Sequence, residues 1–205
     1  MIGFEGVYKR YGAVRILEGT SLHVADGKSL CLFGKSGCGK STALKIAALI
    51  TRPDEGSVNI DGKDVTKMSD IEIDNTRREM IAYTFQEPLL IPYVTALENV
   101  TLLTNTPRQR AVDLMTKLGL RDRVSHRPTK LSGGEKKRVD VARAILKNCK
   151  ILIADEPLSN LDPESGSVVM ELLRERKDRG GILIYSSVEP SEARYADDAI
   201  EMRRT

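Results

Sequence analysis

Residues Gly34-Lys35-Ser36-Gly37-Cys38-Gly39-Lys40-Ser41 follow directly on the apolar run Leu30-Cys31-Leu32-Phe33. They satisfy the pattern G-x-x-x-x-G-K-[ST] at every fixed position. That spacing commits the chain to a strand, a tight turn and a helix in immediate succession, because the glycines let consecutive backbone N–H groups curl around phosphate oxygens. Lys40 adds a point charge at the β/γ end of a triphosphate, and Ser41 offers its hydroxyl to Mg²⁺. A helix starting near Lys40 aims its positive dipole end at the same anion. Gly34, Lys35, Ser36, Gly37, Cys38, Gly39, Lys40, Ser41 and the adjoining Thr42 are therefore the expected contacts for a nucleoside triphosphate with Mg²⁺.

A chain of 205 residues supports one sizeable core with an inserted subdomain, and is short for two independent domains. With 32 basic and 29 acidic residues, the net charge of +3 gives no argument for a nucleic-acid partner. The clusters Arg77/Arg78, Lys136/Lys137/Arg138 and Arg203/Arg204 are short and are expected on solvated helix faces or termini. No apolar stretch approaches the ~18 residues needed to span a bilayer, and the N-terminus lacks a signal-peptide pattern, so a cytoplasmic location is expected. Three cysteines without metal-ligand spacing argue against a disulfide framework or a zinc site. Cys38 lies inside the phosphate loop, where positive field favours a thiolate; its plainer reading is a small loop residue with no chemistry.

Ile2 to Tyr8, Ala13 to Leu17 and Leu22 to Val24 read as short strands, and Asp61-Gly62 between two β-prone runs signals a hairpin within Ser57 to Val65. An antiparallel β layer near the N-terminus is expected. Ser69-x-x-Glu72 and Thr95-x-x-Glu98 are capping boxes that open helices, and Ile81 to Thr84 between them is a buried strand. Thr106-Pro107 puts a proline in the first turn of a further helix that Gly119 stops, and Leu131 to Gly134 leads into another. Ile151 to Ala154 and Ile182 to Tyr185 are apolar on both faces, as strands in the middle of a parallel sheet must be; a helix from about Pro163 to Arg179 separates them. The expected fold is α/β: a P-loop NTPase core with a mostly parallel sheet, an N-terminal antiparallel β subdomain and an inserted helical subdomain. Residues 1–86 and about 147–205 would form the core with the β subdomain, and about 87–146 the helical part of a single domain.

Ile151-Leu152-Ile153-Ala154-Asp155-Glu156 ends in two carboxylates, at the carboxyl end of a strand where open α/β sheets bind ligands. Asp155 would hold Mg²⁺, directly or through water, and Glu156 is placed to accept a proton from an attacking water. Leu131-Ser132-Gly133-Gly134-Glu135 combines an N-cap serine with two glycines at a helix start, which leaves free N–H donors for a second anion.

With these motifs, Gln86 after the strand Ile81 to Thr84, the stretch Ser159-Asn160-Leu161-Asp162 and Tyr11 ahead of the loop, the chain resembles the ATP-binding cassette of ABC transporters over essentially its whole length. The resemblance implies a head-to-tail pair of cassettes, a homodimer or a heterodimer, that sandwiches two ATP molecules. It implies that Tyr11 stacks on adenine and that Gln86 contacts Mg²⁺ and the attacking water. Ser132, Gly133 and Gly134 would bind the γ-phosphate of the other subunit's nucleotide, and Asp162 would cross the interface while also serving as an N-cap before Pro163.

In that family a histidine after the late strand steadies the γ-phosphate. Counting back from Ala196-Asp197 puts Ser187 at this position, and a serine hydroxyl cannot share charge as an imidazolium can. Tight ATP binding with slow turnover is expected. The resemblance further implies an integral membrane partner docked at the stretch from Gln86 through Tyr93, with the protein peripheral on the inner face of the cell membrane. The run from Leu90 to Val100 is similar to cassettes of the lipoprotein-release and macrolide-export type. A soluble ATPase of the same superfamily that regulates protein partners, as in iron–sulfur assembly, and a non-hydrolytic ATP-dependent dimer switch are the competing readings.

Overall fold

Two sheets divide the strands between them in the computed structural model, which describes residues 1–104 and 106–203. The first is antiparallel and holds β1 (Ile2–Tyr11), β2 (Val14–Val24), β4 (Glu55–Ile60) and the two-residue β5 (Lys63–Asp64) in the order β2-β1-β4-β5. The second is parallel and holds β3 (Ser29–Phe33), β6 (Ile81–Thr84), β7 (Ile151–Ala154), β8 (Ile182–Ser187) and β9 (Asp198–Glu201) in the order β6-β7-β8-β3-β9. Period-two alternation splits the parallel strands between two cores. Leu30, Leu32, Ile151, Ile153, Ile182 and Ile184 face the antiparallel sheet and helix α1 (Lys40–Ala47). Cys31, Leu152, Ala154, Leu183 and Tyr185 face the helices on the other side.

Those helices are α3 (Ala96–Thr101), α4 (Arg108–Lys117), α5 (Gly133–Leu146) and α6 (Pro163–Asp178); α2 (Asp70–Met80) precedes β6. Three capping boxes start helices as the residue types dictate: Ser69 with Glu72, Thr95 with Glu98, and Ser132 with Glu135. Asp162 caps α6 by accepting the Ser165 N–H at 2.9 Å. Because α3, α4 and α5 lie between β6 and β7, the helical layer is inserted between strands that are neighbours in the sheet.

Three details differ from the sequence expectations. Apart from Ala13, which lies in the turn before it, the segments Ala13 to Leu17 and Leu22 to Val24 belong to one continuous strand, β2. Its partner β1 runs to Tyr11, and register shifts along the pair absorb the interruption, with Ser21 Oγ accepting the Gly6 N–H at 3.0 Å. Pro107 occupies the N-cap position of α4 rather than its first turn. Lys137 of the basic cluster on α5 is only 1% exposed, so that run is not a solvated face. Of the C-terminal basic pair, Arg203 is exposed and Arg204 lies outside the described residues. All three cysteines are free and buried.

Candidate nucleotide site

The turn between β3 and α1 can exist only with glycine at two points. Gly34 has φ 148°, and a Cβ there would sit 2.3 Å from the Met202 carbonyl oxygen. Gly39 has φ 99°, and a Cβ would meet the Ile16 carbonyl at 2.9 Å. Lys40 is buried behind this turn, its Nζ donating to Gly34 O at 2.7 Å and Lys35 O at 3.1 Å. The ammonium thus closes the loop on itself and stands where a phosphate would take over its donors. Cys38 is buried with its Sγ 4.0 Å from Lys40 Nζ, and its side chain packs in the core beneath the loop.

A cleft of about 210 Å³ opens in front, lined by Ile16, Ser36, Gly37, Lys40, Gln86 and Glu156 among others. The apolar Ile16 escaped the sequence reading, for nothing in its surroundings marks it. On the floor, Asp155 is 2% exposed and collects three hydroxyl donors: Ser186 at 2.6 Å, Ser41 at 3.1 Å and Tyr83 at 3.2 Å. Burial, with the Asp155 charge adding to it, pushes the Tyr83 phenol up, so it remains a donor. A carboxylate and a serine hydroxyl side by side at the head of α1 are the hard oxygen ligands that Mg²⁺ takes. The rigid, glycine-dependent turn and this donor set fit a Mg²⁺–triphosphate.

Gln86 Nε2 donates to Glu156 Oε2 at 3.1 Å across the cleft. Glu156 has φ 45°, a left-handed conformation uncommon for a residue with a side chain, which turns it away from the strand line and toward the cleft. Gly34 to Thr42, Gln86, Asp155 and Glu156 therefore converge.

The remaining residues do not join them. Tyr11 sits half exposed at the turn between β1 and β2, with Lys9 Nζ 5.7 Å from its ring centroid. Ser132, Gly133 and Gly134 are not among the residues lining the cleft. Gly134 packs tightly, since a Cβ there would meet Asn160 O at 2.9 Å, so the turn from Ser132 to Gly134 rests on the loop that leads to Asp162. Hydrogen bonding from the Ser132 N–H, with Arg123 beside it, holds the Glu135 carboxyl below its usual range.

Ser187 corrects the expectation placed on it. Its hydroxyl donates to the Glu192 carboxylate and accepts the Glu189 N–H at 2.9 Å, and it is 1% exposed. Adjacent residues of a strand face opposite ways, so Ser186 takes the side facing Asp155 and Ser187 is turned from it. Ser186, missed in the sequence, is the residue of β8 whose hydroxyl reaches the site.

The sequence profile of the ABC transporter family matches residues 17–159. The chain belongs to the ABC transporter family. It is 35% identical over 98% of its length, and 97% of the relative's, to the "Lipoprotein-releasing system ATP-binding protein LolD" of Bacteroides fragilis. It is 37% identical to the "Macrolide export ATP-binding/permease protein MacB" of Nitrosomonas europaea, with 99% of this chain aligned to 33% of that longer protein. The dimeric post-hydrolysis structure of the ATP-binding cassette MJ0796 with ADP and phosphate superposes with a TM-score of 0.92 at 32% identity, covering 99% of this chain and 94% of that one. This protein is thus an ABC-type ATPase domain with the P-loop cassette fold.

Proposed function

We propose that this cassette is the energy-coupling half of a transporter, closing head to tail on a second cassette with ATP and Mg²⁺ between them. The phosphate loop with Lys40 would cradle the phosphates, and Tyr11 would stack on the adenine. Ser41, Asp155 and Gln86 would hold Mg²⁺, which when bound neutralises charge between the β- and γ-phosphates. Glu156 accepts the proton of the attacking water and Gln86 orients that water.

The observation that carries the reading is the separation of two anion-binding elements. The phosphate loop and Glu156 line one cleft, with Asp155 buried behind Ser41, while Ser132 to Gly134 lie outside it. Gly133 and Gly134 are in the first turn of α5, where their N–H groups have no intrahelical acceptor. A second copy, or a related cassette, would supply that turn to the γ-phosphate, with Asp162 at the interface.

The membrane partner would seat in a groove of about 730 Å³ lined by Ile50, Arg77, Phe85, Leu89, Leu103 and Arg143. Leu89 at 59% and Tyr93 at 83% exposure leave apolar surface beside it. Among the described residues no helix is long and apolar enough to cross a membrane, so a peripheral place on the inner face of the cell membrane depends on that partner. The likeness to lipoprotein-release and macrolide-export cassettes supports an assignment to that type. Turnover would be slow, because β8 presents the Ser186 hydroxyl and no imidazole on the side of Asp155.

Affinity purification from detergent-solubilised membranes, with phosphate release measured on the same sample, tests the reading. An integral membrane protein that co-purifies and Mg²⁺-dependent phosphate release support it. A soluble partner alone points to a regulatory ATPase, and ATP-dependent dimers without phosphate release point to a non-hydrolytic switch.

A further inference from the structure

Lys137 on α5 is 1% exposed, and its ammonium has three main-chain acceptors: Gln86 O at 2.8 Å, Phe85 O at 2.9 Å and Asp155 O at 3.2 Å. An ammonium has three N–H donors, so its capacity is filled by backbone alone. Asp140, three residues along the same helix face, is fully buried; its Oδ2 accepts the Phe85 N–H at 3.1 Å and its Oδ1 accepts from Arg143. Arg143, three residues further, donates to Leu89 O at 2.9 Å. One face of α5 thereby grips the chain from Phe85 to Leu89 and the end of β7, with Phe85 held at both its N–H and its carbonyl.

Placing an ammonium and a carboxylate where water cannot reach them is unfavourable, and apolar side chains of similar volume would fill the core as well. What apolar side chains cannot do is fix where three carbonyls stand. Two of those carbonyls belong to Gln86 and Asp155, whose side chains face Glu156 and Ser41 in the cleft. Burial holds the Lys137 ammonium below its ordinary range, and the charges of Asp140, Asp155 and Glu156 offset only part of that.

We infer that Lys137 and Asp140 are positioning residues for ATP hydrolysis, acting from behind the cleft to hold the Gln86 loop at a set distance from the Asp155–Glu156 strand end. The inference rests on the ATPase reading of the cleft. Neither residue lines the nucleotide pocket itself, and Lys137 reaches it only through the main chain of Gln86, so their loss acts on the chemical step and leaves nucleotide uptake in place. Phe85 and Arg143 also line the proposed docking groove, so the same clamp borders both sites.

Steady-state phosphate release, binding of a fluorescent ATP analogue and thermal melting on wild type, Lys137→Met, Lys137→Gln and Asp140→Asn test it. For Lys137→Met the expected result is kcat lower by roughly tenfold or more, with KM and analogue affinity within about threefold of wild type. Lys137→Gln, whose amide offers two N–H donors to the same carbonyls, recovers part of the rate. Lys137→Met with kcat within about twofold of wild type overturns the inference, as does a fall of kcat in step with the folded fraction. If Lys137→Met does not fold, Asp140→Asn carries the test: lower kcat at unchanged KM supports the inference, and unchanged kcat overturns it. Wild type that takes up no analogue removes the ATPase reading itself and this inference with it.

Discussion

Ser186 Oγ donates to Asp155 Oδ1 at 2.6 Å and accepts the Glu156 N–H at 2.9 Å, so one hydroxyl spaces the two carboxylates from β8. Ser186→Ala leaves the Glu156 N–H without that acceptor and frees Asp155 to turn. Outer partners of a metal-holding carboxylate typically contribute about 10–100-fold in metal affinity or activity. The Mg²⁺ concentration for half-maximal ATP hydrolysis should therefore rise by roughly tenfold. A magnesium titration of the variant checks it.

Restoring an imidazole should depend on which side of β8 receives it. Ser187→His forces a larger ring into a buried slot against Glu192, destabilising the fold by about 1–3 kcal/mol with no gain in phosphate release. Val188 is 43% exposed and follows directly on the end of β8, two residues from Ser186. Val188→His should raise turnover. Parallel assays of both variants decide which position governs the rate.

Ser69 and Ser132 make the same capping box, and only the second is proposed to meet a nucleotide. Each Ser→Ala change should lower stability by about 0.5–2 kcal/mol. Ser69→Ala should leave ATP hydrolysis unchanged, whereas Ser132→Ala should reduce it well beyond its effect on folding. Urea unfolding alongside phosphate release separates the two.

Asp197 ties the start of β3 to the strand that follows it, accepting the Ser29 hydroxyl at 2.7 Å and the Ser29 N–H at 2.8 Å. These hydrogen bonds, with Lys177 nearby, hold its carboxyl at about 2 against an ordinary 3.8. A lowered pKa contributes stability that is whole above the ordinary value and is lost as pH falls through about 2. With the side chain 29% exposed, about 1–2 kcal/mol is expected. Asp197→Asn should be less stable than wild type at pH 7, and the gap should close toward pH 2. Urea midpoints across that range measure it.

The parts of this fold that were legible in the sequence are those set by local chemistry. The phosphate loop, the capping boxes and the apolar runs of β7 and β8 each need particular residue types at fixed spacing, and such patterns survive without knowledge of neighbours. Ser186 and Ser187 could not be told apart that way, because a shift of one residue along a strand exchanges its faces. Lys137 and Asp140 look like solvent-facing charges in a basic run; only the carbonyls of Phe85, Gln86 and Asp155, brought in from distant segments, explain their burial. The unbroken course of β2 was hidden for a similar reason, since the pairing with β1 that carries it is not written in β2 alone.

In the proposed dimer, ATP is held between the phosphate loop of one copy and the Ser132 turn of another. Light scattering on Glu156→Gln, which keeps the cleft but removes the base, tests it most directly. The expected result is a doubling of mass on adding Mg²⁺ and ATP, abolished by Lys40→Ala or Ser132→Ala. A particle that stays monomeric with saturating nucleotide, or that pairs equally well without Lys40, would contradict it.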